Sequence, residues 1–395
     1  MPSFQILKKD KKTRARLGIF KTSHGDINTP SYVFVGTYGK FLHLSPRDIK
    51  KTKTQVVIAN TFHLWKSVIK HRNTKKTFLT KSFGLNIPTM TDSGGFQVLS
   101  LAFDDKNKIG KFITDNARAD KNYKRSKIKI TEKGVYFKYD EKWKFMGPEL
   151  SIKLQKKIGA DIIFAFDHIT SPLDNYKYNK KAVALTDRWA KICLKTHNLN
   201  KKDQVLFGIV QGGLFKDLRT KSAKSIGKIP FDGFGIGGSY TKKQIAKILK
   251  WVIPYLPEEK PRHLLGVGKV ADIFEAIENG IDTFDCVIPT REARHGRLYT
   301  KTGHMDIRKG RYSEDEKTLE KNCGCLTCFD KIPRSKIREF IKSENKISNA
   351  TGQRWCLIHN MWFFNNLLEK IRKSIKNDRF EEFKKSYLQK FEMNT

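Results

Sequence analysis

The chain predicts an α/β fold, a (β/α)8 TIM barrel with a second, cysteine-bearing subdomain inserted near the carboxyl end. Short apolar runs recur with amphipathic helical stretches between them, which implies a parallel sheet covered by helices. Each run ends on a polar side chain or a glycine, and in such a barrel the carboxyl ends of the strands converge on the face where sites are built. A chain of 395 residues is long enough for one large barrel with an appended module or for two ordinary domains. A doubly wound open sheet would also alternate strand with helix. No GxGxxG follows the first strands, however, and the repetition continues too long for that fold.

In chain order, residues 1–30 read as an N-terminal hairpin in which ARLGIF and the turn-rich TSHGDINTP lead into SYVFVGT. The apolar runs follow at QVVIAN, TMTD, IIFAFD, LFGIVQ, GFGIGG, HLLGVG and TFD. They end on Asn60, Asp92, Asp167, Gln211, Gly238, Gly268 and Asp285. Between them lie helical patterns such as PELSIKLQKKIGA, KAVALTDRWAKICLKTH, TKKQIAKILKWVIPYL and KVADIFEAIENGI. A polar insertion at 103–139 interrupts the rhythm and closes on an expected β-hairpin, KIKITEKGVYFKY, with Gly134 in its turn. The basic stretch before that hairpin carries no assignable chemistry. The expected division is a barrel over 1–302, a subdomain over 303–358, and helices over 359–395 that pack back on the barrel.

Formal charge is +38, from 78 Lys and Arg against 40 Asp and Glu. A polyanionic partner is the natural inference. Lysine exceeds arginine along the whole length, as genome base bias would also produce, so charge alone does not fix the partner. The opening MPSFQILKKDKKTRAR lacks an apolar h-region, and no run approaches the roughly 18 apolar residues of a membrane span. A cytoplasmic protein is expected, with no membrane partner.

The segment FDCVIPTREARHG places Asp285 at a strand end before an arginine-rich turn. A rigidly held carboxylate beside cations that grip phosphate suits nucleophilic attack on a nucleic-acid sugar. A strand Asp that caps the following turn would look the same. Farther on, Cys323, Cys325 and Cys328 form C-x-C-x-x-C, with His359 downstream in CLIHNMWFFNNLLEKI. Three thiolates and an imidazole make a closed tetrahedral set suited to one structural Zn2+ per chain. Iron–sulfur ligation, or Cys356 as the fourth ligand in place of His359, are the alternatives. Cys193 and Cys286 read as buried hydrophobes.

Taken together, ANTFHL, DSGGFQ, FGIVQGG, LLGVG, FDCVIPTR and CGCLTC with LIHN resemble, in order and over nearly the whole chain, the tRNA-guanine transglycosylases of the bacterial and eukaryotic catalytic type. The resemblance implies exchange of the wobble guanine of GUN-anticodon tRNAs for a 7-deazaguanine, prequeuosine base (preQ1) or queuine, in queuosine biosynthesis. It implies Asp285 as covalent nucleophile toward ribose, Asp92 as acid/base, and Asn60 beside Asp92. Asp167, Gln211 and the backbone at Gly238 would meet the base edges, with Ser93 also in the base site and Phe96 and Leu265 against the ring faces. Arg291 and Arg294 would position tRNA phosphates, and the assembly would be a homodimer.

Three departures stand out. Ser239-Tyr240-Thr241-Lys242-Lys243 replaces a Leu-Ala-Val-Gly-Glu or Leu-Ser-Gly-Gly-Glu stretch that reads the base substituent. His168-Ile169-Thr170 replaces Glu-Cys-Thr. The interval from Cys328 to His359 is widened, with SENKISNATGQ read as a loop insertion. Rival readings are a related enzyme acting on DNA and a non-catalytic tRNA-binding partner subunit. Such subunits lack the nucleophile, whereas Asp285 and Asp92 are both present here.

Overall fold

A computed structural model of the chain describes residues 2–70, 78–100, 128–139, 141–199, 203–238 and 244–392. The basic stretch of the insertion up to 127 and the segment Ser239–Lys243 lie outside the described residues.

The chain opens on an antiparallel sheet of β1 (Ser3–Lys9), β2 (Arg16–Thr22) and β3 (Gly25–Thr29). This is one strand more than the expected hairpin, because the alternating SFQILKK pairs along β2. Barrel strands β4 (Ser31–Val35), β5 (Val57–Ala59) and β6 (Thr89–Thr91) follow. A second antiparallel sheet then comprises β7 (Ile128–Thr131), β8 (Gly134–Tyr139) and β9 (Lys142–Met146). The hairpin of β7 and β8 matches expectation, and β9 is an unforeseen third strand. At the β7–β8 turn Gly134 has φ +148°, and a Cβ there would stand 2.5 Å from the Met146 carbonyl oxygen. Only glycine fits.

The barrel resumes with β10 (Ile162–Phe164), β11 (Val205–Val210), β12 (Gly233–Ile236), β13 (Arg262–Leu264) and β14 (Thr283–Cys286). It closes in the order β10-β11-β12-β13-β14-β4-β5-β6, every described pairing parallel. Every residue of β11 is buried, since one face fills the barrel and the other meets helices. The strands stop short of most of the polar residues expected to end them. Asn60, for example, leaves the ladder and accepts the His63 amide at 3.0 Å, capping the helix Thr61–Lys70.

The N-terminal sheet covers the amino ends of the barrel strands. Phe20 stacks on Phe207 at 5.9 Å, and Arg16 forms a buried two-point ion pair with Asp282, immediately before β14. His24 meets Asp161, just before β10, at 2.7 Å. A buried pair of this kind fixes orientation more than it adds stability. The opposite, carboxyl-end mouth is the one that carries the cavity described below.

After β14 comes the helix Ile288–Arg294, where a turn was expected. The hairpin of β15 (Arg297–Thr300) and β16 (Gly303–Asp306) begins a second core, which gathers Leu298, Ile307, Ile337, Leu357 and the three motif cysteines. SENKISNATGQ is a loop only over its first three residues. Asn345 caps the amides of Ile347 and Ser348, and one helix runs Lys346–Lys376. Gly352 lets this helix lie against Ile341, where a Cβ would stand 2.7 Å from the backbone nitrogen. The expected boundary between 358 and 359 falls inside this helix, which carries His359 in the second core and packs Phe364 on Tyr32 of the barrel at 5.1 Å. Among the described residues, no helix is long and apolar enough to cross a membrane.

Candidate active site and metal centre

The strand ends enclose a cavity of about 540 Å³ at the carboxyl face. Asn60, Asp92, Ser93, Phe96, Asp167, Gln211, Gly238, Leu265, Asp285 and Arg291 all line it, although they come from seven segments of the chain. Arg294 does not line it. It sits half-buried one helical turn beyond Arg291, and burial followed by the like charge of Arg291 lowers its pKa.

Asp92 is held by four donors. Asn60 Nδ2 and Gln97 Nε2 reach Oδ2 at 2.5 and 3.3 Å, and the amides of Thr61 and Gly94 reach Oδ1 at 3.0 and 3.1 Å. Desolvation nevertheless dominates. With the charge of Asp285 adding to it, the Asp92 carboxyl is pushed up to about 6 from 3.8, against those hydrogen bonds. Asp92 can therefore hold or release a proton near neutrality.

Asp285 is the third residue of β14. Its Oδ1 accepts the Gly266 amide at 3.0 Å and lies 3.1 Å from Nε2 of His263. Two carboxylates thus share one cavity in unlike surroundings.

Asp167 and Gln211 were expected to face opposite edges of a base. Both line the cavity, where Gln211 Nε2 donates to Asp167 Oδ2 at 2.6 Å and Ser93 Oγ donates to Asp167 Oδ1 at 3.3 Å. A buried carboxylate takes the donors within reach. Of His168-Ile169-Thr170, only Ile169 lines the cavity. His168 turns away to Tyr178 Oη at 3.0 Å, and Thr170 donates to Asn179 at 2.7 Å.

Three contributors were missed from sequence. Gln97 sits inside DSGGFQ, where its position five residues after Asp92 was the available signal. Arg219, fully buried, donates to the carbonyls of Gly213 and Gly237 at 2.8 and 2.7 Å and so fixes the backbone on either side of the base-edge position. Its helix, KDLRTKSAKSIG, reads as an ordinary surface helix, so no signal marked it. His263, the first residue of HLLGVG, gave a signal only if its register against β14 was known.

In the second core, the sulfurs of Cys323, Cys325 and Cys328 lie 3.8, 3.4 and 3.8 Å from His359 Nδ1, and all four ligand atoms fall within 4.8 Å of one another. Tetrahedral zinc with sulfur bonds of about 2.3 Å separates its donors by about 3.5–3.8 Å. The donor set fits such an ion. His359 Nε2 meets the Tyr299 carbonyl at 2.8 Å, which turns Nδ1 toward the sulfurs. Cys356 is buried but outside the cluster, so His359 is the fourth member. The next residue, Asn360, donates to the carbonyls of Pro289 and Arg297 at 3.0 and 3.1 Å. This ties the cluster to the helix that carries Arg291. Burial, and after it the charge of Glu292 on that helix, raises the Tyr299 phenol well above its ordinary range. Cys193 and Cys286 are buried, as expected, although Cys286 also lines the cavity.

The family model described as queuine tRNA-ribosyltransferase matches residues 10–393. The chain is 37% identical over 398 residues to a protein of that name from Halothermothrix orenii, covering 98% of each chain. It is 39% identical to one from Dictyoglomus turgidum, covering 98% of this chain and 94% of the relative. It is 36% identical to one from Staphylococcus aureus, covering 99% and 97%. The chain therefore belongs to the queuine tRNA-ribosyltransferase family, the tRNA-guanine transglycosylases, and is a pentosyltransferase.

Proposed function

We propose that this protein exchanges the wobble guanine of GUN-anticodon tRNAs for a free 7-deazaguanine through a covalent Asp285–ribose intermediate. The observation that carries the proposal is the pair of carboxylates, Asp92 and Asp285, in one cavity with unlike surroundings. A carboxylate oxygen of Asp285 bonds to the ribose anomeric carbon as the bond to guanine breaks, and the electron pair leaves with the base. Asp92 supplies the proton that guanine takes up. In the return step Asp92 takes the proton of the incoming base, whose nitrogen bonds to the anomeric carbon and releases Asp285. The proton balance closes over the two steps.

Base recognition falls to Asp167 and Gln211. Asp167 accepts from the N1 and N2 donors of guanine, which releases Gln211 Nε2 to meet the carbonyl edge together with the backbone at Gly238. Burial of Asp167 supports this, since such a site rejects a ring lacking those donors. Phe96 and Leu265 cover the ring faces. An anticodon base is single-stranded and can be splayed into such a cavity. Arg291 also lines a neighbouring groove with His295, Arg297, Arg308 and Lys309, a cationic track suited to phosphates. Arg294 supports it from one turn behind.

The Cys3His cluster holds zinc in a closed site. Bound there, the ion supplies folding energy, and Cys323, Cys325, Cys328 and His359 keep the second core and the Arg291 helix in register. Homodimeric assembly and a cytoplasmic location accompany this reading. Which base enters depends on Ser239–Lys243. Competition among labelled guanine, preQ1 and queuine for incorporation into a GUN-anticodon tRNA, with duplex DNA in a parallel arm, tests the proposal. Incorporation into tRNA with a denaturation-resistant adduct is the expected result. Labelling of DNA alone would sink it.

A further inference from the structure

We propose that His263 is a positioning residue for the nucleophile: through Nε2 it fixes the Asp285 carboxylate in the orientation from which it attacks ribose. The inference rests on the reading of Asp285 as nucleophile. In the parallel pairing of β13 with β14, His263 stands opposite Thr283. Side chains two apart on a strand share a face, so Thr283 and Asp285 both lie beside the one imidazole. Its Nδ1 is 2.9 Å from Thr283 Oγ1 and its Nε2 is 3.1 Å from Asp285 Oδ1.

The chemistry assigns the protons. An ionised carboxylate only accepts, so Nε2 carries hydrogen and donates. A hydroxyl can donate to the remaining lone pair on Nδ1. The ring is wholly buried, and satisfying both nitrogens removes the penalty of placing it there. Phe164, itself lining the cavity, packs on the ring at 5.1 Å with the planes at 51°. The imidazole is therefore oriented by a hydroxyl on one side and by an aromatic ring on its face. The Gly266 amide donates to the same carboxylate oxygen at 3.0 Å. Two fixed donors on Oδ1 restrain rotation of the carboxylate, and misplacement of a reacting atom by about 1 Å can cost about a hundredfold in rate.

The test compares the parent with His263→Phe, His263→Gln and Asp285→Ala, measuring labelled-guanine exchange into tRNA and formation of the denaturation-resistant adduct. Phenylalanine keeps the ring volume and removes the donor, whereas glutamine restores an N–H close to the position of Nε2. The expected result is a loss of about 10- to 100-fold in kcat and in adduct formation for His263→Phe, the worth of one charge-assisted hydrogen bond, with KM for guanine little changed. His263→Gln should recover most of that loss. Parental kcat in His263→Phe, equal losses in the two His263 variants, or a change in KM alone would each overturn the proposal. If His263→Phe does not fold, Thr283→Val takes its place. It removes the hydroxyl that orients the ring and should lower kcat several-fold at constant KM, and an unchanged kcat overturns the proposal. Exchange that survives in Asp285→Ala would instead reject the nucleophile reading itself. A dead Asp285→Ala beside a fully active His263→Phe rejects only the role of His263.

Discussion

The strand-end cavity and the cysteine–histidine cluster each gather chemically potent groups from distant parts of the chain, but they hold them differently. In the cluster Cys325 and His359 are fully buried and Cys323 is 9% exposed, with the ligand atoms turned toward one another. In the cavity Asp285 keeps 16% of its side-chain surface, and its partners and those of Asp92 are mostly backbone amides and neutral side chains. A set of donors closed on itself suits an ion that stays. Charged groups held at an open wall suit a substrate that comes and goes. Asn360 joins the two regions through Pro289 and Arg297, so the comparison can be tested by asking which perturbations cross that link.

Asp285→Ala should have the largest effect, lowering exchange by about 10⁴-fold or more while the thermal unfolding midpoint hardly moves. Residual exchange near the parental rate would break the contrast outright. Cys325→Ala, or removal of the metal by a chelator, should cost on the order of 5 kcal/mol of stability, with activity per folded molecule at low temperature within about twofold of the parent. Metal content, unfolding curves and kinetics on the same samples check this. Activity lost without a loss of stability would show that the cluster serves the chemistry.

A smaller effect is expected from Gly238→Ala. This residue has φ +117°, and a Cβ would come within 2.4 Å of Arg219 Nη2, so the backbone beside Gln211 must shift. Strain of about 1–3 kcal/mol should weaken guanine binding by about tenfold or more, measurable by calorimetry.

The pH dependence sharpens the comparison further. Asp92 is raised from 3.8 to about 6 in the folded protein, so its ionisation opposes folding. The penalty is absent well below 3.8, grows as pH rises to about 6, and is constant above. Asp285→Asn removes one of the charges that raise Asp92, so its pKa should fall and this window should narrow from above. Carboxyl-carbon NMR titration reads the shift directly, and an unmoved pKa would show that the two acids do not sense each other. The smallest effect belongs to Arg291→Ala, which should reduce the salt dependence of tRNA binding by about 0.7 log unit per log unit of salt.

Much of the fold could be read before any coordinates. The apolar runs marked seven barrel strands, and the structure adds the eighth, β4 in SYVFVGT, which closes the barrel between β14 and β5. The polar residues after the runs marked the cavity wall, because a strand that ends at a barrel mouth turns its next side chain toward the shared opening. The cysteine spacing marked the cluster. Less legible were β1 and β9, edge strands that pair with the neighbouring strand in the chain but carry mostly exposed or half-exposed residues, so no apolar run marks them. The Asn345 cap was equally hidden, and it turns an apparent loop into the start of a 31-residue helix.

By itself, the order of residues determined the alternation of strand and helix, the groups available for chemistry and the four candidate metal ligands, since each depends on local periodicity or spacing. Only the tertiary structure decided which of those groups meet. The contact of His263 with Asp285, the closed pair of Asp167 and Gln211, and the grip of Arg219 on Gly237 each join residues 18 to 44 positions apart. Such contacts follow from barrel closure and strand register. A slip of one residue would turn His263 or Asp285 to the other face, and no short window of sequence encodes that choice.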